Sequence, residues 1–183
     1  IHWDREAGRG APFYYFAYGA AVSEVTVDIL TGESRVNRVD ILHDVGHSIN
    51  PVIDLGQIEG GFIQGMGWLT MEELVYGDDG QLLTHAPSTY KIPATSDRPD
   101  EMYIHLYESD GNRSDTIHKS KAVGEPPFML AMSVYGAVSH ALQSLGQYQD
   151  KYPDKYPMLN TPLTAEHILM TAHHMKASGQ VLG

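Results

Sequence analysis

A single carboxylate, Glu125, stands in the segment "SKAVGEPPFML" between a glycine and two prolines. One interpretation is helix capping, because an acid near a helix N-terminus gains about 0.3–1 kcal/mol from the helix dipole. Asp, Asn, Ser and Thr cap better than Glu, however. The alternative is a base on a rigid mount, since Gly124 allows a sharp turn and Pro126 and Pro127 fix the first helical turn. Capping is the commoner case, and these residues alone leave both interpretations open.

A glycine-rich helix is predicted after Asn50, which fits the N-cap position before Pro51. Apolar residues then recur at spacings of three and four, namely Leu55, Ile58, Phe62, Met66 and Leu69. Each glycine within the helix costs about 1 kcal/mol relative to alanine. These glycines are Gly56, Gly60, Gly61, Gly65 and Gly67. Close packing of another element is the commoner compensation, and close approach of a flat ligand is the alternative. Gln57 and Gln64 offer amide groups to such a ligand.

The histidines are weak metal candidates. His43 and His47 are four residues apart, but "HDVGH" contains a glycine and lies where a strand gives way to a loop, unlike a helical HExxH site. His173 and His174 are adjacent and therefore point apart on a helix, so we expect them at the surface. The chain has no cysteine, which excludes disulfides, thiolate zinc sites and cysteine-ligated iron–sulfur clusters within it.

Composition restricts the class of protein. With 183 residues and 42% hydrophobic content, we expect one sizeable core. The net charge of −11 argues against nucleic acid and anionic membranes as partners. The sequence has neither a long apolar run nor an export signal, so we expect a cytoplasmic protein. It begins at Ile1 without an initiator Met, and we expect it to be part of something larger. GxSxG, Walker and GxGxxG motifs are absent.

Periodicity predicts an α+β fold. Residues 22–30 and 35–45 alternate as two strands around the turn "TGE" and predict a hairpin, and residues 102–107 predict a third strand. A second helix is predicted from Pro126 or Pro127 to a stop at Gly146, and a third from near Thr164, which can cap it. The predicted fold is a sheet of hairpin-connected strands packed with separate long helices, an arrangement typical of α+β domains. The polar, proline-broken segment 146–160 predicts a loop.

Three blocks occur in the order "HDVGHSINPVIDLGQIEGGFIQGMGWLTMEEL", "PSTYKIP" and "KSKAVGEPPF". Together they resemble the molybdenum hydroxylases, in particular the large molybdenum-binding part of the xanthine dehydrogenase branch. "GAAVSEVTVDILTGE" resembles the hairpin that precedes them in the family, and the intact PSTYKIP favours the xanthine branch over the aldehyde branch. The resemblance predicts a polar segment at residues 1–12, the C-terminal half of a molybdopterin-binding domain at 13–146, and a loop with a C-terminal helix at 147–183.

The resemblance implies a role for several residues. Glu125 matches the family's general base, which acts on the molybdenum-bound hydroxide or water as it attacks an electron-poor ring carbon, while a hydride passes to the sulfido ligand. Gln57 matches a glutamine that hydrogen-bonds the pterin. The other implied cofactor contacts are Ala122, Val123, Gly124, Ser88 and Thr89. No side chain is implied to ligate molybdenum, which the pterin dithiolene holds.

The cofactors and partners implied by the resemblance extend beyond this chain. They are a molybdenum–pterin cofactor with or without a cytosine dinucleotide, FAD and 2Fe–2S clusters on other segments or subunits, the remainder of the molybdenum-binding subunit and a purine substrate. The reaction would hydroxylate hypoxanthine and xanthine to urate. Relatives complete the site with residues from an earlier segment that has no counterpart here, so the isolated chain is predicted to be inactive and free of cofactor. The alternatives are an aldehyde or N-heterocycle hydroxylase and a non-catalytic scaffold.

Overall fold

The fold combines a small sheet with three long helices. The computed structural model describes residues 1–145, 157 and 159–178. Its main elements are β1 (His2–Asp4), β2 (Arg9–Ala11), β3 (Gly19–Val27), β4 (Ser34–His43), α1 (Pro51–Thr70), β5 (Glu101–Leu106), α2 (Met132–Gln143) and α3 (Ala165–Ser178). Short 3-10 helices lie at Thr95–Asp97, Ile117–Lys119 and Pro126–Ala131. The predicted α+β class is confirmed.

The predicted hairpin is formed by β3 and β4, which pair antiparallel with a bulge at Glu24/Val25. Asp28 fixes the connecting turn, since its Oδ1 accepts the Leu30 N–H at 2.7 Å. Val39 and Ile41 of β4 are fully buried, as the alternation of apolar and polar residues predicts.

The third strand joins the sheet differently from the first two. β5 pairs with β4 in parallel, giving the order β3-β4-β5. Parallel neighbours cannot be joined by a tight turn, and α1 lies in the connection between β4 and β5. The strand itself is confirmed, but its helical crossover replaces the hairpin connection that we expected throughout the sheet.

Helix α1 crosses the core as its spacing predicts. Asn50 caps it, because its side-chain oxygen accepts the Ile53 N–H at 3.4 Å. Ile58, Phe62 and Met66 are fully buried. The main hydrophobic cluster joins these side chains to Val39, Ile41, Val45, Val123, Ala131 and Val134.

The C-terminal helices form a second apolar cluster. The segment after Glu125 begins as a 3-10 helix and becomes α-helical at Met132. The Thr164 hydroxyl caps α3 by accepting the His167 N–H at 3.3 Å, as predicted. The buried residues of the second cluster are Val138, Leu142, Leu159, Leu163, Ile168, Ala172 and Met175. Gly146 and most of the loop predicted at 146–160 lie outside the described residues.

The N-terminal segment carries more structure than its polar sequence predicts. Residues 1–12 contain the exposed antiparallel pair of β1 and β2. The aromatic stretch that follows is also exposed at Phe13, Tyr14, Phe16 and Tyr18. Within the part of the chain that the structure describes, no helix is long and apolar enough to cross a membrane.

Candidate functional site

Glu125 lies at an exposed corner immediately before the 3-10 helix Pro126–Ala131. It occupies the N-cap position, yet its side chain makes no capping hydrogen bond, and only its carbonyl oxygen accepts the Phe128 N–H, at 3.1 Å. The capping interpretation therefore has no support in the geometry. The carboxylate is free to act on a molecule outside the helix.

The corner is anchored on both sides. Val123 is 8% exposed and belongs to the main hydrophobic cluster. Pro127 is buried against α1, where its Cγ lies 3.3 Å from the Cβ position of Gly61. The span from Gly124 to Pro126 is consequently short and held at both ends, which limits where the Glu125 carboxylate can reach.

Three glycines of α1 serve close packing, the commoner of the two explanations. A Cβ at Gly65 would collide with the carbonyl oxygen of Phe128. Gly61 faces Pro127, and a Cβ at Gly67 would lie 2.5 Å from Pro93. Only glycine allows the 3-10 helix and the loop around Pro93 to approach this closely.

Two other glycines of α1 remain open. A Cβ at Gly56 or Gly60 would meet nothing within 4 Å. Gln57 and Gln64 are exposed, and their spacing places both on the same helix face as Gly60. The side-chain oxygen of Gln57 lies 3.9 Å from the Cβ position of Gly124. This face therefore offers a bare backbone and an amide group directly beside the Glu125 corner.

Ser88 and Thr89 are exposed in a separate turn. The Thr89 hydroxyl donates to the Ala86 carbonyl at 3.1 Å, and Tyr90 donates to Glu72 at 2.6 Å. The hydrogen bond to Glu72 raises the pKa of Tyr90. Glu72 follows the C-terminus of α1, roughly 20 Å along the axis from Gln57. These contacts anchor the turn at the opposite end of the helix from the Glu125 corner.

The two histidines of "HDVGH" lie in different surroundings. His43 is buried in β4, with Nδ1 2.9 Å from the carbonyl oxygen of Tyr18, whereas His47 is exposed. Across the described ranges, no group of three His, Cys, Asp or Glu side chains could hold a metal ion.

Sequence reasoning missed the contacts that hold the segment before Glu125. Lys121 Nζ lies 2.6 Å from Asp44 Oδ2, and both side chains are nearly buried. The Ala122 N–H donates to the Tyr15 hydroxyl at 2.9 Å. The partners are 77 and 107 residues apart in sequence. The only sequence signal was that Asp44 and Lys121 both fall within the blocks that carry the family resemblance.

Comparison with known proteins decides the family. The model of the molybdopterin cofactor-binding domain matches residues 1–99. This chain belongs to that family. The resemblance drawn from the sequence motifs is confirmed, and the predicted cofactor class, molybdopterin, is the one for which the family is named.

Curated relatives of this molybdopterin-binding chain are much longer than it is. A xanthine dehydrogenase of Oryza sativa subsp. japonica is 47% identical over 177 residues, which cover 93% of this chain and 13% of the relative. A xanthine dehydrogenase/oxidase of Gallus gallus is 47% identical over 168 residues, covering 92% of this chain and 12% of the relative. The chain thus spans a small part of these relatives.

Solved structures share the fold of this molybdopterin-binding chain. Quinoline 2-oxidoreductase from Pseudomonas putida 86 superposes with a TM-score of 0.68 at 31% identity, over 81% of this chain and 18% of that protein. Aldehyde oxidoreductase from Desulfovibrio gigas gives a TM-score of 0.72 at 27% identity, over 94% of this chain and 17% of that protein. The exposed face of α1 fits a molybdopterin cofactor. Gly56 and Gly60 leave room for its flat ring system, and the Gln57 amide can hydrogen-bond the polar edge of that ring.

Proposed function

We propose that this chain supplies the general base and one wall of the cofactor site in a molybdenum-dependent hydroxylase that converts hypoxanthine and xanthine to urate. The observation that carries the proposal is the exposure and anchoring of Glu125. Its carboxylate is exposed, makes no capping bond and projects from a corner anchored by Val123 and Pro127. The relatives named xanthine dehydrogenase support the substrate class.

In this role the chain positions groups and moves a proton. Glu125 accepts the proton of the oxygen nucleophile that attacks an electron-poor purine carbon, and such a base contributes about 10²- to 10⁴-fold in rate. Gln57 hydrogen-bonds the pterin. The main chain of Ala122, Val123 and Gly124 walls the site. The molybdenum–pterin cofactor supplies the two-electron oxidation, and the protein supplies orientation and electrostatics.

The remaining parts of the site lie outside this chain in our proposal. The rest of the molybdenum-binding subunit completes the substrate pocket, and FAD and iron–sulfur modules carry the electrons away. Ser88 and Thr89 are included as outer cofactor contacts on the basis of the family resemblance alone, since the Thr89 hydroxyl is bonded to the Ala86 carbonyl and the turn lies at the other end of α1. The exposed aromatic residues at Phe13, Tyr14, Phe16 and Tyr18 are consistent with a surface that other parts of the subunit cover.

The deciding experiment is Glu125→Gln in the complete enzyme, with molybdenum content matched to wild type. Glutamine keeps the size and hydrogen bonding of the side chain but cannot accept the proton. We expect anaerobic reduction by xanthine to slow by about 10²-fold or more in stopped-flow measurements. A rate near wild type would remove Glu125 from the mechanism. Faster reduction of the wild-type enzyme by an aldehyde or by quinoline than by xanthine would reassign the substrate class.

A further inference from the structure

A buried ion pair precedes the candidate base by four residues. Lys121 Nζ lies 2.6 Å from Asp44 Oδ2, and the two side chains are only 8% and 12% exposed. The ion pair of Arg38 with Asp40, by contrast, is 50% and 41% exposed. Burying two charges carries a large desolvation cost, so a buried pair is weak support for stability by itself. Its presence beside the Glu125 corner therefore requires another explanation.

Neighbouring groups fix the orientation of the Lys121–Asp44 ion pair. Asp44 Oδ1 accepts the Gly46 N–H at 2.9 Å, and the Asp44 N–H donates to the Tyr18 carbonyl at 2.8 Å. The Lys121 ammonium also lies 5.1 Å from the centroid of the Tyr18 ring, within the range of a cation–π contact. The Lys121 ammonium is consequently held between the Asp44 carboxylate, just after β4, and the ring of Tyr18.

The backbone of the same segment is tied down as well. The Lys121 N–H donates to the Val45 carbonyl at 2.8 Å, and the Ala122 N–H donates to the Tyr15 hydroxyl at 2.9 Å. Just before it, His118 and Lys119 adopt φ values of 51° and 55°, which are uncommon for residues other than glycine. Such conformations persist only where the surroundings over-determine them, and they cluster at functional sites.

We propose that Lys121 and Asp44 are positioning residues, which fix the segment leading into Glu125 so that its carboxylate faces the open side of α1. Three residues separate Lys121 from Glu125, and one of them, Val123, is itself buried in the core. Restraining the position of Lys121 therefore also restrains the position of Glu125. This inference rests on the proposed function of Glu125.

The test uses the double variant Asp44→Asn/Lys121→Met in the complete enzyme. It removes both charges together, so that neither is left buried without its partner. The matched control is Arg38→Met/Asp40→Asn, because that pair also combines an ion pair with an aromatic contact, 4.9 Å from the Tyr103 ring, but is exposed. The readouts are the limiting rate of anaerobic reduction, the KM for xanthine, the molybdenum content and amide hydrogen exchange over residues 119–125. Exchange is also followed in enzyme freed of cofactor.

We expect the double variant to lose about 10²-fold in the limiting rate with little change in KM, since a small misplacement of a catalytic group costs that much. Exchange over residues 119–125 should be about tenfold faster in both forms of the enzyme, because the local opening free energy falls. The single variant Lys121→Arg keeps the positive charge beside Asp44. Its limiting rate and its exchange over residues 119–125 should lie between those of the double variant and wild type. The exposed control should match wild type in rate and exchange.

Two results would overturn the inference: a rate and exchange within about twofold of wild type, or a slow rate with unchanged exchange. If the double variant does not fold, Tyr15→Phe tests the same tether, since it removes only the oxygen that accepts the Ala122 N–H. It should speed exchange at Ala122 and slow reduction, and no change in either would count against positioning. A wild-type rate in Glu125→Gln would instead refute the proposed function, while exchange would still report on the tether.

Discussion

The carbonyl oxygen of Phe128 occupies the space where a side chain on Gly65 would begin. Helix α1 and the 3-10 helix after Glu125 are thus in direct backbone contact. A methyl group at Gly65 would push the two apart, and overpacking of this kind costs about 1–3 kcal/mol. We expect Gly65→Ala to lower the free energy of unfolding by that amount, measured by chemical denaturation.

The control for that experiment is Gly60→Ala on the same helix. Its Cβ meets nothing within 4 Å, so only the helix propensity changes and stability should rise by up to about 1 kcal/mol. Equal effects of the two substitutions would show that contact between Gly65 and Phe128 does not limit the side chain at position 65.

Gly60 also tests whether the open face of α1 receives the cofactor. Gly60→Leu leaves the packing of the chain intact, because the position faces open space. If a flat ring approaches the bare backbone, the larger side chain should lower the molybdopterin content of the purified enzyme several-fold while its melting temperature stays near wild type. Full cofactor content in this variant would place the cofactor elsewhere.

The two exposed glutamines of α1 should differ in their effect on the cofactor. Gln57 lies beside Gly124, whereas Gln64 lies two turns further along the same face. We expect Gln57→Leu to lose cofactor more readily than wild type during gel filtration or dialysis, because the pterin loses a hydrogen-bond partner. Gln64→Leu is the matched control and should retain it. Equal retention by both variants would argue against the role proposed for Gln57.

Asp97 gives the loop around Pro93 an acid-sensitive anchor. Its Oδ2 accepts the Ala94 N–H at 2.8 Å and pairs with Lys91 at 3.0 Å, and these two contacts hold the pKa of Asp97 below its ordinary value of 3.8. A lowered folded-state pKa means that the stabilisation is complete well above that ordinary value, which applies to the unfolded chain, and is lost as the pH falls through it toward the folded pKa.

Asp97→Asn should therefore flatten the acid side of the stability profile. Urea unfolding between about pH 6 and pH 3 should show a smaller loss of stability in the variant than in wild type, with the difference confined to the acid end. Parallel losses in the two proteins would mean that Asp97 makes no net contribution through its ionisation.

Local patterns predicted the elements well because their causes are local. The alternation around Val39 and Ile41 reflects one buried sheet face, and the Asn50–Pro51 start of α1 follows from capping chemistry within a single turn. The crossover to β5 was not predicted, since strand pairing depends on which edge of the sheet remains open. The exposed hairpin of residues 1–12 was missed for a similar reason, because its short strands carry no buried face that would produce periodicity.

The sequence by itself determined the molybdopterin-binding family, through the blocks around Gln57 and Glu125. A reaction that needs particular side chains at particular spacings produces a motif that can be recognised in the sequence. It could not assign the α1 glycines individually. Only the tertiary structure separated Gly65, which packs against Phe128, from Gly60, which faces open space. Likewise, only the fold brought Asp44 to Lys121. A buried charge needs a partner in space rather than in sequence, and contacts between distant residues leave no periodic trace in the chain.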